Sequence, residues 1–156
     1  MHASLKAIVS AMAPMQLKFF ICTLLAMPLA TEAGPATCHV NFSSGARLEL
    51  PVARTWQEQQ DGLSGRLDAG LGLLFLWQEP AVRTLWMKNT YIPLSAAFID
   101  IRGHVLEIVD MEPASEEHHS SSAPIGAAIE LAQGEFSRHG IKTGDKADIA
   151  CANSAP

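Results

Sequence analysis

The amino-acid sequence predicts a mainly β fold of the α+β class: a curled antiparallel sheet or open barrel carrying one or two short helices. Three observations predict it. Apolar runs of strand length recur from Cys38 to Cys151, Gly, Pro, Asn and Asp punctuate them at short intervals, and only two stretches carry helix signals. With 156 residues, 48% hydrophobic and 17% charged, the chain is globular and sized for one domain around a single core.

In chain order, His39 to Leu50 holds two extended runs about Ser43-Ser44-Gly45, a hairpin pattern. Thr55-Trp-Gln-Glu58 is a capping box. The helix it opens places Trp56, Gln59 or Gln60, and Leu63 on one face, and Gly62 and Gly65 end it early. Leu73 to Trp77 is a short continuous apolar run, hence a buried strand, followed by a turn at Glu79-Pro80. Val82 to Asn89 and Leu94 to Ile101 are the next strands. Arg102-Gly103 turns into Val105 to Val109. Met111 to Pro124 is a polar loop, Ala127 to Ala132 returns to the sheet, and Glu135 to His139 forms a helical turn stopped by Gly140. Thr143-Gly144-Asp145 turns into the last strand, Ala147 to Cys151.

The first 33 residues carry a different pattern. Lys18 precedes the apolar stretch Phe19 to Leu29, and small and polar residues run to Ala33. That order is a signal peptide, residues 1–33, with Met15 as an alternative start, leaving 34–156 as a single exported β-rich domain. The apolar stretch is too short to cross a bilayer core of about 30 Å as a helix. Export places the domain in the periplasm or outside the cell, with no membrane association beyond the signal segment. Cys22 leaves with that segment, so Cys38 and Cys151 remain near opposite ends of the domain. An even count in an oxidising compartment predicts a disulfide between them. The formal charge of −5 is spread over mixed-sign segments without a basic stripe, which excludes a nucleic-acid partner class. A monomer is expected.

The most informative run is Thr84-Leu-Trp-Met-Lys-Asn-Thr-Tyr-Ile-Pro-Leu94. A cation and a carboxamide interrupt bulky apolar residues, and polar groups so costly to desolvate are either paired or aimed at a ligand. Strand alternation puts Trp86 and Lys88 on one side, with Met87 and Asn89 on the other.

Trp86-Met-Lys-Asn-Thr90 followed by Ile92-Pro-Leu94 closely resembles the signature of the domain of unknown function family 192. Gly62-Leu63 with Arg66, Gly72-Leu-Leu-Phe75, Phe98-Ile-Asp100 with Gly103, Ile129-Glu-Leu131 with Gly134, and Ile141 with Gly144-Asp145 extend the similarity from about Leu48 to Ile149. The resemblance implies a mainly antiparallel β fold with a small helix packed against it; it does not imply an enzymatic activity, since none is established for the family. Two departures stand out. Ser64 and Gly65 replace the family's usual methionine and aromatic, and Ser95 stands where an aspartate is typical.

Candidate ligand-binding residues are Lys88, Asn89, Arg66, Glu130, Trp86 and Thr90. Lys88 supplies a point charge, Asn89 a donor and an acceptor, and Arg66 a bidentate fork. Glu130 lies within the apolar run Ile129-Glu-Leu131 and needs a partner if it faces inward. A salt bridge from Lys88 or Arg66 to Glu130 accounts for these charges without any ligand. Glu116-Glu-His-His119 combines imidazoles and carboxylates, but adjacent loop residues rarely form a closed ligand set, so no metal and no cofactor are expected. Neither a nucleophile elbow nor a phosphate-cradling glycine loop is present.

The expected function is a binding module for a small anionic or carbohydrate ligand of the cell envelope. The alternatives are a hydrolase or lyase with Glu130 as base, and a structural or interaction protein lacking a pocket.

Overall fold

The computed structural model describes residues 36–151. The signal peptide expected over residues 1–33, with Cys22, lies outside the described residues. The strands are β1 (Thr37–Phe42), β2 (Arg47–Ala53), β3 (Leu73–Ala81), β4 (Thr84–Leu85), β5 (Leu94–Asp100), β6 (Val105–Met111), β7 (His119–Ser120), β8 (Ile125–Ala132) and β9 (Ala147–Cys151), with helices α1 (Trp56–Asp61) and α2 (Glu135–Arg138). Seven strands form one sheet in the order β6-β5-β8-β3-β2-β1-β9, and β4 pairs with β7 as a separate two-stranded ribbon.

Every neighbour in the large sheet is antiparallel except β2 and β3, which run parallel through Val52 and Ala53 opposite Leu74 and Phe75. A parallel pair needs a long crossover. Residues 54–72, with α1 inside them, provide it. The sheet curls until its two edges touch at one end. The Val105 N–H donates to Asp145 O at 2.9 Å, Gly144 N–H to Val105 O at 2.8 Å, and Ala147 N–H to Gly103 O at 2.7 Å. Gly103 permits this approach, because a Cβ there would stand 2.5 Å from the Ala147 oxygen.

The central strands are apolar on both faces, which explains their unbroken hydrophobic runs. Alternation sends Leu74, Ala97, Ile99, Ala127, Ile129 and Leu131 into the core enclosed by the curl. Phe75, Ala96, Phe98 and Ala128 point the other way, into a second core completed by Leu63, Leu85 and Met87. The crossover and the segment after β4 cover that second face, and Glu130 shares it by strand alternation.

Three local expectations are corrected. The turn at Glu79-Pro80 is instead the end of β3, where the register against β8 shifts between Leu76 and Ala81. An irregularity of this kind tolerates a proline that lacks a ladder donor. The strand expected over Val82 to Asn89 is only Thr84–Leu85. Thr90 N–H donates to Met87 O at 2.9 Å, and Asn89 adopts φ 59°. Asparagine tolerates this left-handed conformation, and the tight turn it makes ends the strand. Alternation therefore holds only to Lys88: Met87 is buried, Trp86 and Lys88 are exposed, and Asn89 faces solvent as well. Finally, Trp56 does not share a buried face with Leu63. It is 72% exposed, and α1 buries none of its own residues.

The helix is held by its ends. Thr55 accepts from the Glu58 N–H at 3.2 Å while Glu58 accepts from the Thr55 N–H at 2.9 Å, completing the capping box. Gln59 then anchors it to the sheet by donating to Leu76 O at 2.8 Å.

Cys38 and Cys151 face each other across the β1–β9 ladder and form a disulfide, closing a sequence separation of 113. No helix among the described residues is long and apolar enough to cross a membrane.

Candidate functional site

Glu130 sits on β8 between two strands, opposite Leu73 of β3 and Ala96 of β5. Its residue is 5% exposed, no hydrogen bond or ion pair reaches its carboxyl among the described residues, and the carboxyl borders the hollow and is not sealed from it. Burial away from water penalises the charged form and pushes its pKa up to about 7. Backbone is drawn in close beside it. A Cβ on Gly62 would stand 3.9 Å from Glu130 Oε2 and 3.5 Å from the Phe75 ring, at a residue whose φ is +49°. The glycine that ends α1 thus lets the chain pass over the carboxyl.

Above Glu130 lies a hollow of about 70 Å³. Its exposed lining is mostly polar, with Asp61, Lys88 and Thr90 among the contributors, and the buried side chains of Leu63, Phe75 and Leu85 lie beneath it. An adjoining groove of about 330 Å³ shares Gln60, Thr84 and Trp86 with the hollow and adds His118. The site is therefore assembled from the end of α1, the β4 ribbon, the turn after it, and two central strands.

The turn after β4 is fastened on both sides. Met87 N–H donates to Ser115 O at 3.1 Å, and Ala114 N–H donates to Thr90 O at 2.7 Å. On the other flank the Asn89 carbonyl accepts from Gly65 N–H at 2.9 Å and from Ser64 Oγ at 3.3 Å. Ser64 and Gly65, which depart from the family pattern, are thus the residues on which the turn docks. Ser95, the other departure, is buried at 2% and donates to Asp110 Oδ1 at 2.5 Å, away from the hollow.

The structure brings together Trp86, Lys88, Thr90 and Glu130 from the expected set. Arg66 is exposed and does not line the hollow, and Asn89 contributes backbone and not side chain. The expected salt bridge to Glu130 is absent among the described residues, since Lys88 pairs instead with Glu116 at 3.9 Å. Lys88 Nζ also stands 5.1 Å from the centre of the Trp86 ring, within cation–π range. The His118 ring is tilted against the same indole at 5.7 Å. Glu116 and His118 therefore act on the Trp86 ridge, and among the described residues no cluster of three or more His, Cys, Asp or Glu side chains could hold a metal ion.

Gln60, Asp61 and Thr84 join the site from outside the central motif. For Gln60 and Asp61 the capping box was the one signal, because it fixes where α1 starts and hence which residues occupy its last turn, whereas Thr84 opens the Thr84–Leu94 run. Asp145, expected as a turn residue, accepts from Lys142 N–H at 2.9 Å and from Ser43 Oγ at 3.4 Å, holding the last turn against the β1–β2 hairpin.

Among solved structures, the chain is similar to a candidate transcription regulator from Sinorhizobium meliloti 1021, with 30% identity and a TM-score of 0.66 over 72% of this chain and 92% of that one. It is also similar to a protein of unknown function from Novosphingobium aromaticivorans DSM 12444, with 32% identity and a TM-score of 0.66 over 78% of this chain and 89% of that one. No curated protein matches. The model of the uncharacterised family DUF192, described as Uncharacterized ACR, matches residues 39–149. That span covers almost all of the described sheet and every residue of the hollow, and the chain belongs to the DUF192 family.

Proposed function

We propose that this protein is an exported binding module for a carbohydrate of the cell envelope. The observation that carries the reading is the hollow itself: an aromatic ridge, amide and hydroxyl groups, and a buried carboxyl without a partner among the described residues converge on one opening. Sugars combine apolar ring faces with many hydroxyls, so an exposed indole beside Gln60, Thr84 and Thr90 suits them. Trp86 is 44% exposed, leaving ring surface to stack on.

The anionic alternative is weaker on electrostatic grounds. Lys88 is the cation lining the hollow, and Glu116 and the Trp86 ring already engage it. Asp61 lines the same opening and would repel an anion. The hydrolase or lyase alternative draws support from the raised pKa of Glu130. A general base also needs an orienting partner, and none contacts its carboxyl among the described residues. The disulfide suits the periplasmic or secreted setting that export implies.

Calorimetric titration of the mature domain with soluble β-1,4-linked glycans tests the proposal. Saturable binding that Trp86→Ala weakens at least tenfold is expected, in line with about 1–3 kcal/mol for an aromatic contact. Binding of equal strength by Trp86→Ala would remove the site assignment, and no binding to any glycan would remove the function.

A further inference from the structure

Two carboxyl groups are buried among the described residues, and they differ in what holds them. Asp145 accepts from Lys142 N–H and from Ser43 Oγ. Glu130 has no such partner, although buried polar groups ordinarily find one. Its carboxyl borders the hollow, so a partner can reach it from that side.

The charges facing the hollow decide what that partner is. Asp61, at the end of α1, bonds to the neutral Gln57 amide at 2.8 Å and so keeps its negative charge. Lys88, from the turn after β4, is the opposing charge, but Glu116 at 3.9 Å and the Trp86 ring at 5.1 Å already engage it. His118 lines the adjoining groove and not the hollow. The hydroxyls of Ser64 and Thr90 add acceptor lone pairs to the mostly polar lining. Oxygens beside an uncompensated carboxylate complement a cation with several N–H donors. A neutral acceptor would engage Glu130 and gain nothing from Asp61, and an anion would be repelled.

We infer that the hollow receives the protonated amine of an amino sugar carrying no N-acetyl group, the ammonium pairing with the Glu130 carboxylate in the field of Asp61 while the sugar ring lies on Trp86. This rests on the carbohydrate reading above and narrows it to cationic sugars. In the complex Glu130 is ionised. The free protein holds that proton to about pH 7, so at lower pH binding must release it to solvent.

The test titrates β-1,4-linked trimers of glucosamine, N-acetylglucosamine and glucose calorimetrically into the mature domain. At pH 7 the glucosamine trimer is expected to bind roughly tenfold or more tighter than the other two, the worth of about one pKa unit of charge coupling. At pH 5 the amine stays charged while Glu130 keeps its proton, so wild type should lose roughly tenfold or more of that affinity. Glu130→Gln leaves Asp61, Lys88, Glu116 and His118 in place, and should bind weakly at both pH values. Thermal melts establish that the variant is folded, and the wild-type comparisons require no variant. Equal affinity for the three trimers, tightest binding of the acetylated one, or an unchanged pH response in Glu130→Gln would each overturn the ammonium assignment while leaving carbohydrate binding intact. If none of the trimers and no other soluble glycan binds, the parent reading falls and this inference with it.

Discussion

Glu130 shows how one residue links stability to recognition. Its neighbours across the sheet, Leu73 and Ala96, are apolar, and among the described residues no protein group replaces the hydration its carboxylate would lose. The folded chain therefore holds the proton to about pH 7, whereas an unfolded glutamate releases it near 4.5. Below pH 4.5 both states are protonated and folding is not opposed by this group. As the pH rises the unfolded state ionises first, so stability falls between about 4.5 and 7 and levels off above it. The difference is on the order of 3 kcal/mol. Glu130→Gln removes the titration while retaining shape, so urea midpoints of wild type and variant should be similar at pH 4 and separate by pH 8, with the variant more stable. Parallel curves across that range would show that water or a protein partner already solvates the carboxylate.

At the scale of elements, the site depends on how the crossover is pinned at both ends. Its entry is the capping box of α1, so Thr55→Ala should lower stability by about 1 kcal/mol and loosen Gln60 and Asp61 at the hollow. Its exit is tighter. A Cβ on Gly72 would lie 2.4 Å from the Glu130 carbonyl and 2.5 Å from Leu131 Cδ2, at φ +91°. Gly72→Ala must displace β3 from β8, and a loss of about 3 kcal/mol or more in urea unfolding is expected. A smaller loss than that of Thr55→Ala would show the β3–β8 contact to be adaptable. These elements also mark what was legible beforehand. The capping box, the apolar runs of β3, β5 and β8, and the glycine turns are local signals, and each yielded its element. The two-residue β4–β7 ribbon was not legible, because it depends on Thr84 and Leu85 meeting Ser120 and His119 from a loop that is polar by composition. Trp86, Lys88, Thr90 and Glu130 could be nominated because polar residues interrupt apolar runs there. Arg66 carried the same charge signal, yet the turn it follows leaves its side chain in solvent. The lack of a partner for Glu130 is a tertiary fact, set by Lys88 turning outward to Glu116.

The sheet formed by the described residues, 36–151, is an incompletely closed curl, and its closure is uneven. At one end the edges are joined by backbone bonds between residues 103–105 and 144–147. β9 is otherwise held by β1 alone, and the Cys38–Cys151 bridge fastens the far end of that pair. A link across 113 residues removes much of the freedom of the unfolded chain. The chain-entropy account assigns about 4–5 kcal/mol to a loop of roughly that length, a large part of the 5–15 kcal/mol typical of a domain. Reduction of the native chain should therefore lower the unfolding free energy measured by urea titration by that order, and Cys151→Ala should match it without reductant. The hollow proposed to bind glycans stands apart from this pair, on β3, β8 and the crossover, so under that proposal a reduced chain that is still folded should bind with unchanged affinity. Should reduction weaken binding before any unfolding is seen, the curl would transmit strain from the bridged edge to the hollow. Should it leave the midpoint unmoved, the residue 103–105 contacts with 144–147 would be sufficient to hold β9 in place, and the bridge would be redundant to the fold.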